Sequence, residues 1–132
     1  MGVVSIEILQ DALRRSWSAD TSKSSGWSER DRAKGQCAVT ACVVQDYFGG
    51  EIVNTIARLP TGAQVSHYFN IIDGAVVDLT KQQFPLGTEF LESAPKTNGH
   101  RTTRDYCLSS EDTRKRYLLL SARVVNDING NE

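Results

Sequence analysis

The chain is poor in several residue types, and each shortage narrows what it can be. It has two histidines, three cysteines, three prolines and one methionine among 132 residues. No apolar run is long enough to cross a bilayer. No charged leader precedes an apolar stretch, so neither membrane insertion nor secretion is expected. Met1-Gly2 begins like a myristoylation signal, but that signal needs Ser or Thr at position six, where Ile6 stands. Three cysteines with no framework spacing fit reduced thiols in a cytoplasmic setting better than a disulfide scaffold. Nor does one sign of charge dominate: fifteen basic against sixteen acidic residues leave a net charge of -1. Broad attraction to nucleic acid or to an anionic membrane is therefore not expected. The one basic run, Arg114-Lys115-Arg116, follows Glu111 and Asp112 and reads as a solvated helix face.

What is present suits one globular domain over residues 1–132, because 39% hydrophobic and 23% charged residues are enough for a core and too balanced for disorder. Ser5 followed by Ile6, Ile8, Leu9, Ala12 and Leu13 predicts a capped amphipathic helix reaching Trp17. Residues 18–35 have no period and read as a long connection, with Trp27 placed to pin the loop or touch a ligand. Residues 37–48 are apolar nearly all round, which predicts a central buried helix stopped by Gly49-Gly50. Residues 51–59, 65–72 and 75–80 read as strands. Asp73-Gly74 between the last two is the preferred dipeptide of a type I′ hairpin. Residues 81–107 are broken by Pro85, Gly87, Pro95 and Gly99 and read mostly as loop. Ser109 or Ser110 caps a final helix through Val125, and the residues beyond look frayed.

One constellation follows from these elements. Cys37 stands at the first turn of the central helix, where unpaired N–H groups and the positive end of the macrodipole favour a thiolate, the nucleophilic form of sulfur. Gly35 just before it would let substrate approach the backbone. In the hairpin a two-residue turn sets Ile72 opposite Ala75, hence Phe69 opposite Asp78 and His67 opposite Thr80. Alternation then puts His67, Phe69, Asp78 and Thr80 on one face, with His67 and Asp78 as diagonal neighbours within hydrogen-bonding reach. Nucleophile, base and orienting acid in the order Cys37, His67, Asp78 are what covalent acyl chemistry needs. Cys42, on another side of the helix, reads as core, and a zinc site from His67, His100 and two cysteines is an alternative.

Gly35-Gln36-Cys37-Ala38-Val39-Thr40-Ala41, with Gln45-Asp46 and Gly49-Gly50-Glu51-Ile52, resembles the YunG-like proteins, a bacterial family of uncharacterised proteins. His67-Tyr68-Phe69-Asn70, Asp73-Gly74, Asp78-Leu79-Thr80, Gln83-Phe84 and Trp27 continue that resemblance. More distantly, Gly-Gln-Cys-x-Val-x-Ala is similar to the nucleophile motif of transglutaminases, whose His and Asp follow on adjacent strands of a papain-like fold. Two departures stand out: Ala38 occupies a usual Trp position, and the chain is shorter than a papain-like or transglutaminase core.

The expected fold is α+β, a small antiparallel sheet packed on a central helix carrying Cys37 at its N-terminus. By resemblance it is a minimal papain-like or transglutaminase-like core. The expected function is thiol-dependent acyl chemistry, hydrolysis or transfer, on a small-molecule or peptide acyl substrate, with no cofactor required. Gln36, beside the Cys37 N–H, is a candidate oxyanion donor, and Trp27 and Asn70 join it as candidates around the substrate. The alternative is a binding or regulatory module that keeps the fold without turnover.

Overall fold

In the computed structural model, which describes residues 3–130, Ser5 caps helix α1 (Ile6–Ser16) by accepting a hydrogen bond from the Ile8 N–H at 3.1 Å. Its apolar stripe buries Leu9, Ala12 and Leu13 completely, and each buried leucine contributes about 2 kcal/mol. Met1-Gly2 and residues 131–132 lie outside the described residues. Helix α2 (Cys37–Phe48) has the predicted bounds and runs through the middle of the molecule, with every residue from Val39 to Val44 buried. One side of it meets α1 and the long C-terminal helix in a cluster that includes Leu13, Trp17, Val43, Leu120 and Val124. Another side meets Ile52 and Cys107 through Ala41 and Cys42.

Strands β1 (Glu51–Arg58), β2 (Gln64–Ile72), β3 (Ala75–Val77) and β4 (Glu89–Phe90) form one antiparallel sheet in the order β3-β2-β1-β4. Asp73 and Gly74 both adopt positive φ, 52° and 81°, as a type I′ turn requires, and Ile72 pairs with Ala75 as the hairpin geometry predicts. The third strand is shorter than its sequence suggests. Pairing stops at Val77, because Asp78 turns its carboxylate onto His67 and onto the backbone N–H of Thr80.

The stretch read as loop holds more structure than its breakers indicate: a 3-10 turn at Lys81–Gln83, strand β4, and helix α3 (Thr103–Ser109), capped by the Thr102 hydroxyl. Helix α4 (Glu111–Gly130), whose start is capped by Ser110, continues past Val125 instead of fraying there. Its inward residues Leu120 and Val124 anchor it to the core. No helix among the described residues is long and apolar enough to cross a membrane.

Candidate active site

The connection from Ser18 to Gly35 is tied down before it delivers Cys37. The Ser22 hydroxyl donates to the Lys34 carbonyl at 2.6 Å, and the Lys23 N–H donates to the Gly35 carbonyl at 3.0 Å. Gly35 has φ +74°, and a Cβ there would lie 2.3 Å from the Ser22 oxygen and 2.6 Å from the Ser24 nitrogen. The glycine therefore serves the chain's close approach to itself, and it also lines the cavity beside Cys37.

Helix α2 begins without a side-chain cap: its N-cap residue is Gln36, and the first helical hydrogen bond runs from the Thr40 N–H to the Gln36 carbonyl. The N–H groups of Cys37, Ala38 and Val39 are thus without helical partners. These three residues line a cavity of about 1200 Å³. Cys37 is half-buried and is one of the residues that line the cavity.

His67 lies on β2 with no exposed surface. Its Nε2 is 2.7 Å from Asp78 Oδ2, while the Thr80 N–H and hydroxyl donate to Oδ1 at 3.3 and 3.5 Å. The ring stacks on Phe69 at 5.9 Å and meets the edge of Phe84 at 4.8 Å, with Phe90 at 6.0 Å. Nδ1 is buried and has no aligned hydrogen-bond partner. The Cys37 sulfur is nevertheless near enough to act on the ring's protonation. Burial opposes the imidazolium, but the hydrogen bond to Asp78, the nearby Cys37 sulfur, and the negative charge available on both outweigh it. Together they hold the His67 pKa up at about 9.

The other expected site residues are engaged elsewhere, and none lines the cavity. Gln36 is fully buried, with its amide donating to the Ser18 carbonyl at 3.0 Å and its Oε1 without a partner. Asn70 is buried between β2 and α2, where its amide donates to the Ala41 carbonyl at 2.9 Å. That bond fixes the strand bearing His67 against the helix bearing Cys37. Trp27 pins its loop by donating Nε1–H to the Arg32 carbonyl at 2.8 Å. Among the described residues no three His, Cys, Asp or Glu side chains converge as a metal site.

Sequence reasoning missed four contributors. Gln83 donates its amide to the Thr80 carbonyl at 2.9 Å, and its Oε1 accepts from the Gly35 N–H at 3.4 Å. It thus links the segment after Asp78 to the loop before Cys37. Phe84 and Phe90 enclose His67 from a stretch that its prolines and glycines mark as loop; the dipeptide Gln83-Phe84 was the available signal. Cys107, without assignable role in the sequence, belongs to the cavity wall with Tyr68. Burial pushes its thiol up to about 11 even though a hydrogen bond with Tyr68 acts against that, and burial holds the core thiol of Cys42 at about 12. Both stay protonated at neutral pH.

Residues 5–129 match the family described as "YunG protein". Among curated proteins, the chain is 39% identical over 85 residues to "Uncharacterized protein YunG" of Bacillus subtilis (strain 168), a match covering 64% of this chain and 68% of that one. No solved structure matches. With the family signature spanning nearly its whole length, the chain belongs to the YunG family.

Proposed function

We propose that this protein performs thiol-dependent acyl chemistry at Cys37. The observation that carries the proposal is the His67 ring, held by Asp78 at Nε2 while its buried, unpartnered Nδ1 is the nitrogen left for the sulfur. Cys37 thiolate attacks an amide or ester carbonyl, and the first-turn N–H of α2 at Cys37 stabilises the oxyanion. The C–N or C–O bond breaks as the His67 imidazolium gives its proton to the leaving group. Water or an amine then attacks the thioester, the C–S bond breaks, and His67 takes up the proton released by the nucleophile. No step calls for a metal or an organic cofactor.

The order of a cysteine at the head of a central helix, then His and Asp on a following hairpin, is similar to a minimal papain-like or transglutaminase-like core, and we include that likeness in the proposal. A second reading, a binding module without turnover, is favoured by one observation: His67 is fully buried, with Phe84 against it. Iodoacetamide labelling separates the two. The enzyme reading expects Cys37 to label at pH 7 about a hundredfold faster than Cys107 and to lose that advantage in His67→Ala. Equal, slow labelling of both thiols would leave the binding module standing.

A further inference from the structure

The cavity beside Cys37 is charged in a way the chain as a whole is not. The protein carries a net charge of -1, yet the charged cavity wall has Lys23, Lys34, Lys96 and Arg116 against Asp31 and Asp112. Among the described residues none of these four cations forms an ion pair, whereas Arg15, Arg32, Arg58, Arg104 and Lys115 each sit on a carboxylate. Lys96 and Lys23 lie close enough to the Cys107 thiol in the same wall to act on its protonation. Their charges are therefore felt inside the cavity. Arg116 is half-buried and faces the cavity, although its sequence neighbours give it the look of a solvated helix face; Lys115 beside it fits that description and pairs with Glu111 at 3.1 Å.

Unpaired cations gathered around a concave surface repel one another and focus a positive potential into the space between them. The uncharged wall mixes neutral polar residues such as Gln64, Ser66 and Gln83 with an apolar and aromatic part made by Leu59, Val65, Tyr68, Phe84 and Tyr106. A ligand with a hydrocarbon body and an anionic group satisfies both parts of the wall; a neutral or cationic one leaves the cations uncompensated.

We infer that the Cys37 cavity takes small acyl compounds that carry a carboxylate or phosphate group, the apolar acyl body lying on Tyr68 and Phe84 and the anion meeting Lys23, Lys34, Lys96 and Arg116. This substrate class rests on the acyl chemistry proposed for Cys37, but it can be measured without turnover. In Cys37→Ser protein, calorimetry compares N-octanoylglycine with N-octanoylglycinamide, and N-octanoyl-phosphoethanolamine with N-octanoylethanolamine. The expected result is that at least one anionic member binds about tenfold tighter than its neutral partner at low ionic strength. That preference falls with added salt and in the double variant Lys34→Gln/Lys96→Gln, but not in Lys115→Gln outside the cavity. The two pairs show which anion is preferred. Equal binding within both pairs, no binding at all, or the same loss in Lys115→Gln would overturn the inference. Labelling of Cys37 by iodoacetamide in the unaltered protein is read separately, so a failure of the nucleophile and a failure of the anion preference cannot be confused.

Discussion

Asp78 is occupied at both carboxylate oxygens, one by the His67 ring and the other by the Thr80 N–H and hydroxyl. Neither the ring nor the carboxylate can rotate without breaking contacts on the other side. Asp78→Asn keeps the shape but removes the charge that favours the imidazolium. Its expected effect is a drop of about 10- to 100-fold in the rate of Cys37 labelling, together with a downward shift of the His67 titration followed by NMR. Gln83 acts at one remove, as a positioning residue between Thr80 and Gly35. Gln83→Ala is expected to slow Cys37 labelling by about tenfold, leave the His67 titration in place, and be rescued in part by Gln83→Asn. An unchanged labelling rate would show that the link carries no positional information.

Among the elements, those with a strong period or a specific turn were legible in the sequence. Ser5 and the apolar spacing after it give α1, the all-round apolar run gives α2, and Asp73-Gly74 gives the hairpin and its register. From the register came the placement of His67 beside Asp78, which survives even though the ladder ends one residue before Asp78. What stayed illegible owes its shape to tertiary partners. Strand β4 is two residues long and exists because Ala57 and Arg58 pair with Phe90 and Glu89. Helix α3 is seven residues long, too short to show a period of its own. Gln36 and Asn70 look like substrate ligands by their position near the motifs, while their buried amides are in fact spent on Ser18 and Ala41 carbonyls. At this scale Gly35→Ala combines an unfavourable positive φ with contact against the Ser24 backbone. It is expected to destabilise the fold by about 2 kcal/mol in denaturant titrations, whereas Gly99→Ala, also at positive φ but with open space around it, costs about 1 kcal/mol.

For the whole molecule, the buried imidazole couples folding to pH. The folded protein keeps the His67 proton up to about pH 9, whereas the unfolded chain releases it near 6.5. The stabilisation is therefore fully present below 6.5 and is lost as pH rises through about 9. Urea unfolding should show stability declining between pH 6 and 9 by on the order of 2 kcal/mol, with a flatter profile in His67→Gln. Cys42 and Cys107 add a loss in the same direction only above their own unfolded value of 9.0, outside that window. A core truncation such as Leu120→Ala, whose side chain on α4 is fully buried against α1 and α2, should lower stability by about 2–5 kcal/mol at every pH. The seclusion of His67 also has a kinetic outcome. Of the three groups in the constellation only Cys37 borders the cavity, so where an amine is the acceptor, donor and acceptor reach the same sulfur in turn through the acyl-enzyme of the proposed chemistry. The first product has to depart before the second reactant can be seated, and initial rates measured against both reactants should fall on parallel lines in a double-reciprocal plot.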